Sequence, residues 1–184
     1  MAHPPLDFGF RDLLHPADLL TQTPRRKIDH ECPIGPDGKL YDTQALKLNN
    51  NKFLSVAGLP EILPRILVNP EAISWVDLSF NNLTHVEPVL LQLKNLQILY
   101  LHGNNIIDFP HLEILNGGIT IRTLTLHGNP VDRTVGYRFI VISWLRQLKN
   151  LDFSVVTDFD RMQSEVWGRK WLMIKAKLKK EDGY

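Results

Sequence analysis

Apolar positions along this chain recur in a fixed frame. The first copy reads Leu46-x-Leu48-x-x-Asn51-x-Phe53, and the second reads Ile73-x-x-Val76-x-Leu78-x-x-Asn81-x-Leu83. The third is Leu96-x-x-Leu99-x-Leu101-x-x-Asn104-x-Ile106, and the fourth is Ile121-x-x-Leu124-x-Leu126-x-x-Asn129-x-Val131. Within each copy the central aliphatic residues alternate with other residues, the period of a strand that buries one face. The asparagine that follows closes a turn. Its amide carries two donors and an acceptor, so Asn51, Asn81, Asn104 and Asn129 form a structural ladder that bonds the backbones of neighbouring coils.

Successive ladder asparagines lie 30, 23 and 25 residues apart. That spacing and pattern define a leucine-rich repeat, whose period is roughly 20–29 residues. The predicted fold is α/β: a leucine-rich repeat solenoid of about five units with a parallel concave sheet, a helical or irregular convex side and a C-terminal cap. The long first interval holds Pro60, Pro64 and Pro70 around Ile62-Leu63 and Ile66-Leu67, which predicts an enlarged convex segment with helical turns. After Asn81, the spacing of Val86, Leu90 and Leu93 suits a helix.

The two ends depart from the pattern. Residues 1–40 hold six of the twelve prolines and read as an irregular N-terminal arm. Its apolar cluster (Leu6, Phe8, Phe10, Leu13, Leu14) either covers the open first coil or clamps another protein. The repeat domain spans residues 41–160. Its cap begins at about residue 132, where Tyr137, Ile140, Val141, Trp144, Leu145 and Leu148 share a helical face. Leu148-x-x-Leu151-x-Phe153 supplies a last strand, with Val156 where a ladder asparagine would stand. Residues 161–184 form a basic amphipathic tail in which Trp167, Trp171, Ile174 and Leu178 recur at helical spacing among lysines and arginines.

Composition adds less. A net charge of +1 argues against bulk polyanion binding, although residues 161–184 carry seven Lys/Arg against three Asp/Glu. The single cysteine, Cys32, forms no intrachain disulfide, which fits an intracellular chain. The first residues show no basic-then-apolar leader pattern, and no apolar stretch has membrane-span length. Phosphate-loop, dinucleotide, nucleophile-elbow and His-Glu-x-x-His motifs do not occur, so no catalytic residue, cofactor or metal is expected.

The repeat unit resembles the short intracellular class of leucine-rich repeat proteins. That class includes a phosphatase-1 regulatory subunit, the U2 spliceosomal A-prime protein and an axonemal dynein light chain. Asn129-Pro130, Tyr137-Arg138, Leu148-Lys149-Asn150-Leu151-Asp152, Val156-Thr157 and Asp160-Arg161 are similar to the C-terminal cap motif of that class. A narrower likeness rests on Pro4-Pro5-Leu6-Asp7-Phe8, Trp75 to Asn81, Leu99 to Asn104, Leu124 to Pro130 and Glu165-Val166-Trp167. It is to a small subfamily found mainly in organisms and tissues that build motile cilia. The resemblance implies a non-enzymatic cytoplasmic protein.

Residues between the buried leucines line the concave sheet. Candidate partner contacts there are Trp75, Asp77, Ile98, Tyr100, His102, Thr125, His127 and Asp152, led by the two large aromatics. Contacts on the tails are Leu6, Phe8, Phe10, Trp171, Lys175 and Lys179. Phe80, beside a ladder asparagine, reads as half-buried packing. The expected function is a protein–protein interaction scaffold, a structural adaptor of the motile-cilium axoneme with axonemal partners and an acidic surface such as tubulin for the basic tail. The alternatives are a regulatory subunit of a phosphatase complex and a component of a ribonucleoprotein assembly. Direct nucleic-acid and membrane contacts are not expected. A salt titration separates phosphate binding, which falls steeply with salt, from an aromatic-anchored interface.

Overall fold

The computed structural model describes residues 4–25, 40–107 and 109–181; Cys32 lies outside them, as do the side chains of Lys175 and Lys179. In chain order the elements are β1 (Leu6–Asp7), β2 (Ala45–Lys47), α1 (Leu59–Ile66), β3 (Trp75–Asp77) and β4 (Ile98–Tyr100). There follow α2 (Pro110–Glu113), β5 (Thr123–Thr125), α3 (Tyr137–Trp144), β6 (Asn150–Leu151), β7 (Ser154–Val155) and α4 (Asp158–Glu181). The strands form one sheet in the order β1 to β7. All neighbours are parallel except β6 and β7, which are antiparallel.

Each coil turns the same way for the same reason. Leu46, Val76, Leu99, Leu124 and Leu151 occupy the same register position and are fully buried. The next inward residues, Leu48, Leu78, Leu101 and Leu126, extend that core. The chain then bends through a residue with left-handed φ immediately before each ladder asparagine: Asn50 at 54°, Phe80 at 53°, Gly103 at 68° and Gly128 at 73°. The repeated Leu-His-Gly-Asn tetrapeptide supplies the residue that adopts this conformation most cheaply.

The asparagines then staple coil to coil. Asn81 Nδ2 donates to Leu48 O and Leu78 O, both at 3.0 Å, while Oδ1 accepts the Phe53 amide at 3.1 Å. Asn104 and Asn129 repeat the arrangement one and two coils on, bonding Leu78, Leu101 and Leu126 carbonyls and the Leu83 and Ile106 amides. Each buried amide thus satisfies backbone groups that no strand or helix reaches.

The convex side is mostly short. The long interval between Asn51 and Asn81 holds α1, as its prolines and aliphatics predict. The segment after Asn81 is only a 3₁₀ turn, Pro88–Gln92, opened by Pro88.

The arm is more regular than its prolines suggest. β1 pairs with β2, Leu6 opposite Leu46, and Asn51 Nδ2 donates to Phe8 O at 3.0 Å. Residues 4–25 therefore behave as one more coil, closed by a 3₁₀ turn at Pro16–Leu20. Leu6 and Phe8 are 0% and 1% exposed, so they seal the first coil and offer nothing to a partner. Of the three apolar arm residues proposed as contacts, only Phe10 stays outside, 63% exposed with the Arg25 guanidinium 5.1 Å above its ring.

At the other end α4 starts at Asp158, so the tail boundary at 161 falls inside a helix. Arg138 clamps it with a two-pronged pair to Asp160, at 3.0 and 2.8 Å, while also donating to Leu151 O and Val155 O. Trp167 stacks on Phe139 and lies against Gly136, where φ is 78° and no side chain fits. Trp171, expected as a contact, instead turns inward: its ring centroid is 4.9 Å from that of Phe109 and 6.3 Å from that of Trp144.

Candidate protein-binding surface

The strand register sets the concave face. Ala45, Trp75, Ile98, Thr123 and Asn150 align in one row, and Lys47, Asp77, Tyr100 and Thr125 in the next. Residues of a third row, including Ser79, His102 and His127, follow at the turns.

The polar members of these rows are not displayed. Asp77 is buried, and its Oδ1 accepts the Ser79 amide at 3.0 Å and the Ser79 hydroxyl at 2.6 Å. Thr125 is fully buried, its Oγ1 2.8 Å from His102 Nδ1. Both were expected as partner contacts, and both are instead consumed by bonds within the sheet. Asp152 is partly open but fully employed. Its Oδ1 accepts the Leu126 and His127 amides at 2.7 and 2.9 Å, and its Oδ2 accepts the Tyr137 hydroxyl at 2.9 Å. That carboxylate takes the place of the backbone that a further coil would have brought.

What the face does display is aromatic. Trp75 and Tyr100 meet edge to face at 5.8 Å. Tyr100 meets Phe153 at 5.5 Å, and Phe153 lies 5.6 Å from both His102 and His127. The two imidazoles are stacked at 4.7 Å with planes 9° apart, and Phe80 closes on His102 at 5.1 Å. The rings form one connected strip across β3, β4, β5 and the cap hairpin.

Two members of the strip come at a backbone cost. Phe80 and Phe153 have left-handed φ values of 53° and 61°, where a bulky residue costs about 1–3 kcal/mol. They are also 53% and 61% exposed, so this strain is not offset by full burial. Phe80 lies across Gly103, where an added Cβ would come within 2.6 Å of the ring.

Two of these rings are shifted toward their neutral forms. The His102 imidazole is pushed below its ordinary pKa, first by burial and then by the neighbouring His127. Burial and the Asp77 carboxylate push the Tyr100 phenol up, so it stays protonated. Among the described residues, no three His, Cys, Asp or Glu side chains gather into a metal-binding set.

The sequence thus places Trp75, Ile98, Tyr100, His102 and His127 on the concave side, where they lie part-exposed. It hides Phe153, which occupies the register of the buried Leu48, Leu78, Leu101 and Leu126. The missing asparagine at Val156 is the signal that this coil ends differently. Without a next coil the chain reverses at Asp152–Phe153, both at positive φ, and the ring swings out. Phe80 is likewise more open than its neighbour in the ladder suggests.

Comparison with known proteins agrees with this architecture. The Leucine Rich Repeat profile matches residues 95–116. Leucine-rich repeat-containing protein 51 of Mus musculus is 40% identical over 182 residues, 97% of this chain and 92% of that protein. The Bos taurus protein of the same name is 41% identical over 169 residues, 90% of this chain and 85% of its own length. The solved structure of the Drosophila melanogaster SNF/U2A' complex superposes with a TM-score of 0.60 over 79% of this chain and 93% of that one, at 21% identity, a likeness of fold. Repeats of this kind are scaffolds for protein–protein contact. Among the described residues no helix is long and apolar enough to cross a membrane. With relatives so similar over nearly its whole length, the chain belongs to the family of leucine-rich repeat-containing protein 51.

Proposed function

We propose that this protein is a non-enzymatic adaptor in the motile-cilium axoneme, and that its concave aromatic strip grips a segment of an axonemal protein. The strip of Trp75, Tyr100, His102, His127, Phe80 and Phe153 carries the reading. Aromatic rings gathered at the centre of a surface and open to solvent are the side chains that dominate binding energy at protein interfaces. Ile98 adds apolar area beside Trp75 in the same row. Asp77 and Asp152 are spent on bonds within the repeats, which suits a partner bound through apolar and stacking contacts. The axonemal setting rests on the likeness to a subfamily of cilium-building organisms.

Phe10, exposed at the first turn, and the lysine-rich end of α4 with Lys175 and Lys179 extend the interface, the acidic surface of tubulin being one target for the latter.

The test is affinity purification from ciliated cells with cross-linking mass spectrometry, comparing the native chain with Trp75→Ala/Tyr100→Ala. The reading expects axonemal proteins cross-linked near residues 75–102 and lost in the double variant. Recovery of phosphatase or ribonucleoprotein subunits in their place overturns the axonemal setting. Partners that survive the double variant overturn the concave site.

A further inference from the structure

α4 carries two apolar faces, and among the described residues only one of them is covered. Trp167 and Trp171 point inward onto Phe139, Phe109 and Trp144. On the opposite side Phe159, Met162, Val166 and Met173 are 60%, 58%, 41% and 67% exposed. Their spacings of three, four and seven residues are those of the a and d positions of a heptad, with Arg169 at the intervening d. A helix lying on a core needs one apolar stripe. A second stripe in register along the water-facing side is the seam of a helix–helix contact.

We propose that this outer face of α4 docks one acidic amphipathic helix of a protein partner, independently of the concave site. Charge selects the occupant. The positions flanking the seam hold Gln163, Lys170 and Lys177 on one side and Glu165, Leu172 and Lys179 on the other. Residues 161–184 carry seven Lys/Arg against three Asp/Glu. The Lys170 ammonium lies 4.9 Å over the Trp167 ring, on the flank between the inner and outer faces. Flanking carboxylates on the incoming helix would meet these cations, the pairing that sets partner choice in coiled coils.

The same pattern argues against two other occupants. A second copy of this chain would bring only Glu165 to meet Lys170, Lys177 and Lys179, leaving most of these cations without a carboxylate. A membrane surface takes up a broad, continuous apolar face, whereas Arg169 breaks this stripe in its middle, between Val166 and the Leu172–Met173 pair.

The test uses the full chain and fluorescence anisotropy of a labelled helical peptide of about three heptads, with leucine at a and d and glutamate at the flanking e and g positions. Its control has lysine at the flanks. The proposal expects the glutamate peptide to bind about tenfold or more tighter than the lysine peptide. Val166→Glu/Met173→Glu, checked for native circular dichroism and melting temperature, should lower that affinity by about tenfold or more. Trp75→Ala/Tyr100→Ala should leave it unchanged. Equal affinity for the two peptides overturns the proposal, as does unchanged binding by the glutamate variant. Vesicles of phosphatidylcholine with phosphatidylserine that bind the native chain but not the variant, while neither peptide binds, would assign the face to a membrane. A dimer in ultracentrifugation that the variant abolishes, again without peptide binding, would assign it to a second copy.

Discussion

The two ends of this solenoid solve one problem in opposite ways. Both must cover a core that a further coil would otherwise cover. The N-terminal end continues the repeat: β1 stays parallel, and Asn51 bonds the arm as the other ladder asparagines bond their preceding coils. The C-terminal end breaks it. β7 runs antiparallel, Asp152 replaces a missing strand with a carboxylate, and Arg138–Asp160 ties a long helix across the opening. An end built by continuation keeps an aromatic in the leucine register inside, as with Phe8, and exposes the turn residue Phe10. The end built by reversal throws one out, as with Phe153, and thereby completes the concave strip.

The largest expected effect is on the reversed end. Arg138→Ala leaves the Asp160 carboxylate with its Thr157 bonds but no counter-charge and takes the donor from the Leu151 carbonyl, and should cost about 3 kcal/mol. Thermal melting reads the loss, and hydrogen exchange should show α4 loosening while β1 stays protected. On the continued end, Asn51→Ala removes the acceptor for the Arg11 and Leu13 amides and the donor to Phe8 O. It should cost about 2–3 kcal/mol, with protection lost around residues 6–13 and retained in α4. If both variants loosen both ends alike, the caps are not independent and the contrast fails.

Acid should also separate the ends. Asp160 is held well below the ordinary carboxylate pKa, first by its hydrogen bond from Arg138. A depressed folded pKa contributes stability above the unfolded value, and that contribution is lost as pH falls below about 4. The expected loss is about 2 kcal/mol, and it should be smaller in Arg138→Ala, where only the Thr157 hydrogen bonds still favour the Asp160 carboxylate. A smaller effect belongs to the concave face. The folded pKa of His102 is depressed, so the unfolded chain takes the proton first as pH drops through the histidine range. Stability therefore falls slightly there, by about 0.5 kcal/mol or less given its partial exposure, and His102→Gln should flatten that step.

The coils were legible because one periodicity reports one constraint. Alternating leucines and a ladder asparagine have the same meaning in every copy, and Asn81, Asn104 and Asn129 bond as the spacing requires. The columns of the concave face were legible too, since strand alternation dictates which side a residue takes. Exposure within a column was not, because it depends on the size of what lies beside it. Thr125 disappears beneath His102, and Asp77 curls back onto Ser79. The arm was legible as a cover of the first coil, but its strand was not, because proline hides strand character while Leu6 and Phe8 follow the inward alternation of the coils. The second stripe of α4 went unseen because the tryptophans of the first dominate any reading of amphipathicity.

The central claim is that the aromatic strip is where a partner binds. Site-specific photo-cross-linking tests it most directly, with benzoylphenylalanine placed at Tyr100 or Phe153 on the strip and at the exposed convex residue Gln92 as control. The account predicts that both strip positions capture the same axonemal protein from ciliated cells, through one contiguous segment, and that Gln92 does not. Capture of that protein at Gln92, with neither strip position reacting, would contradict it.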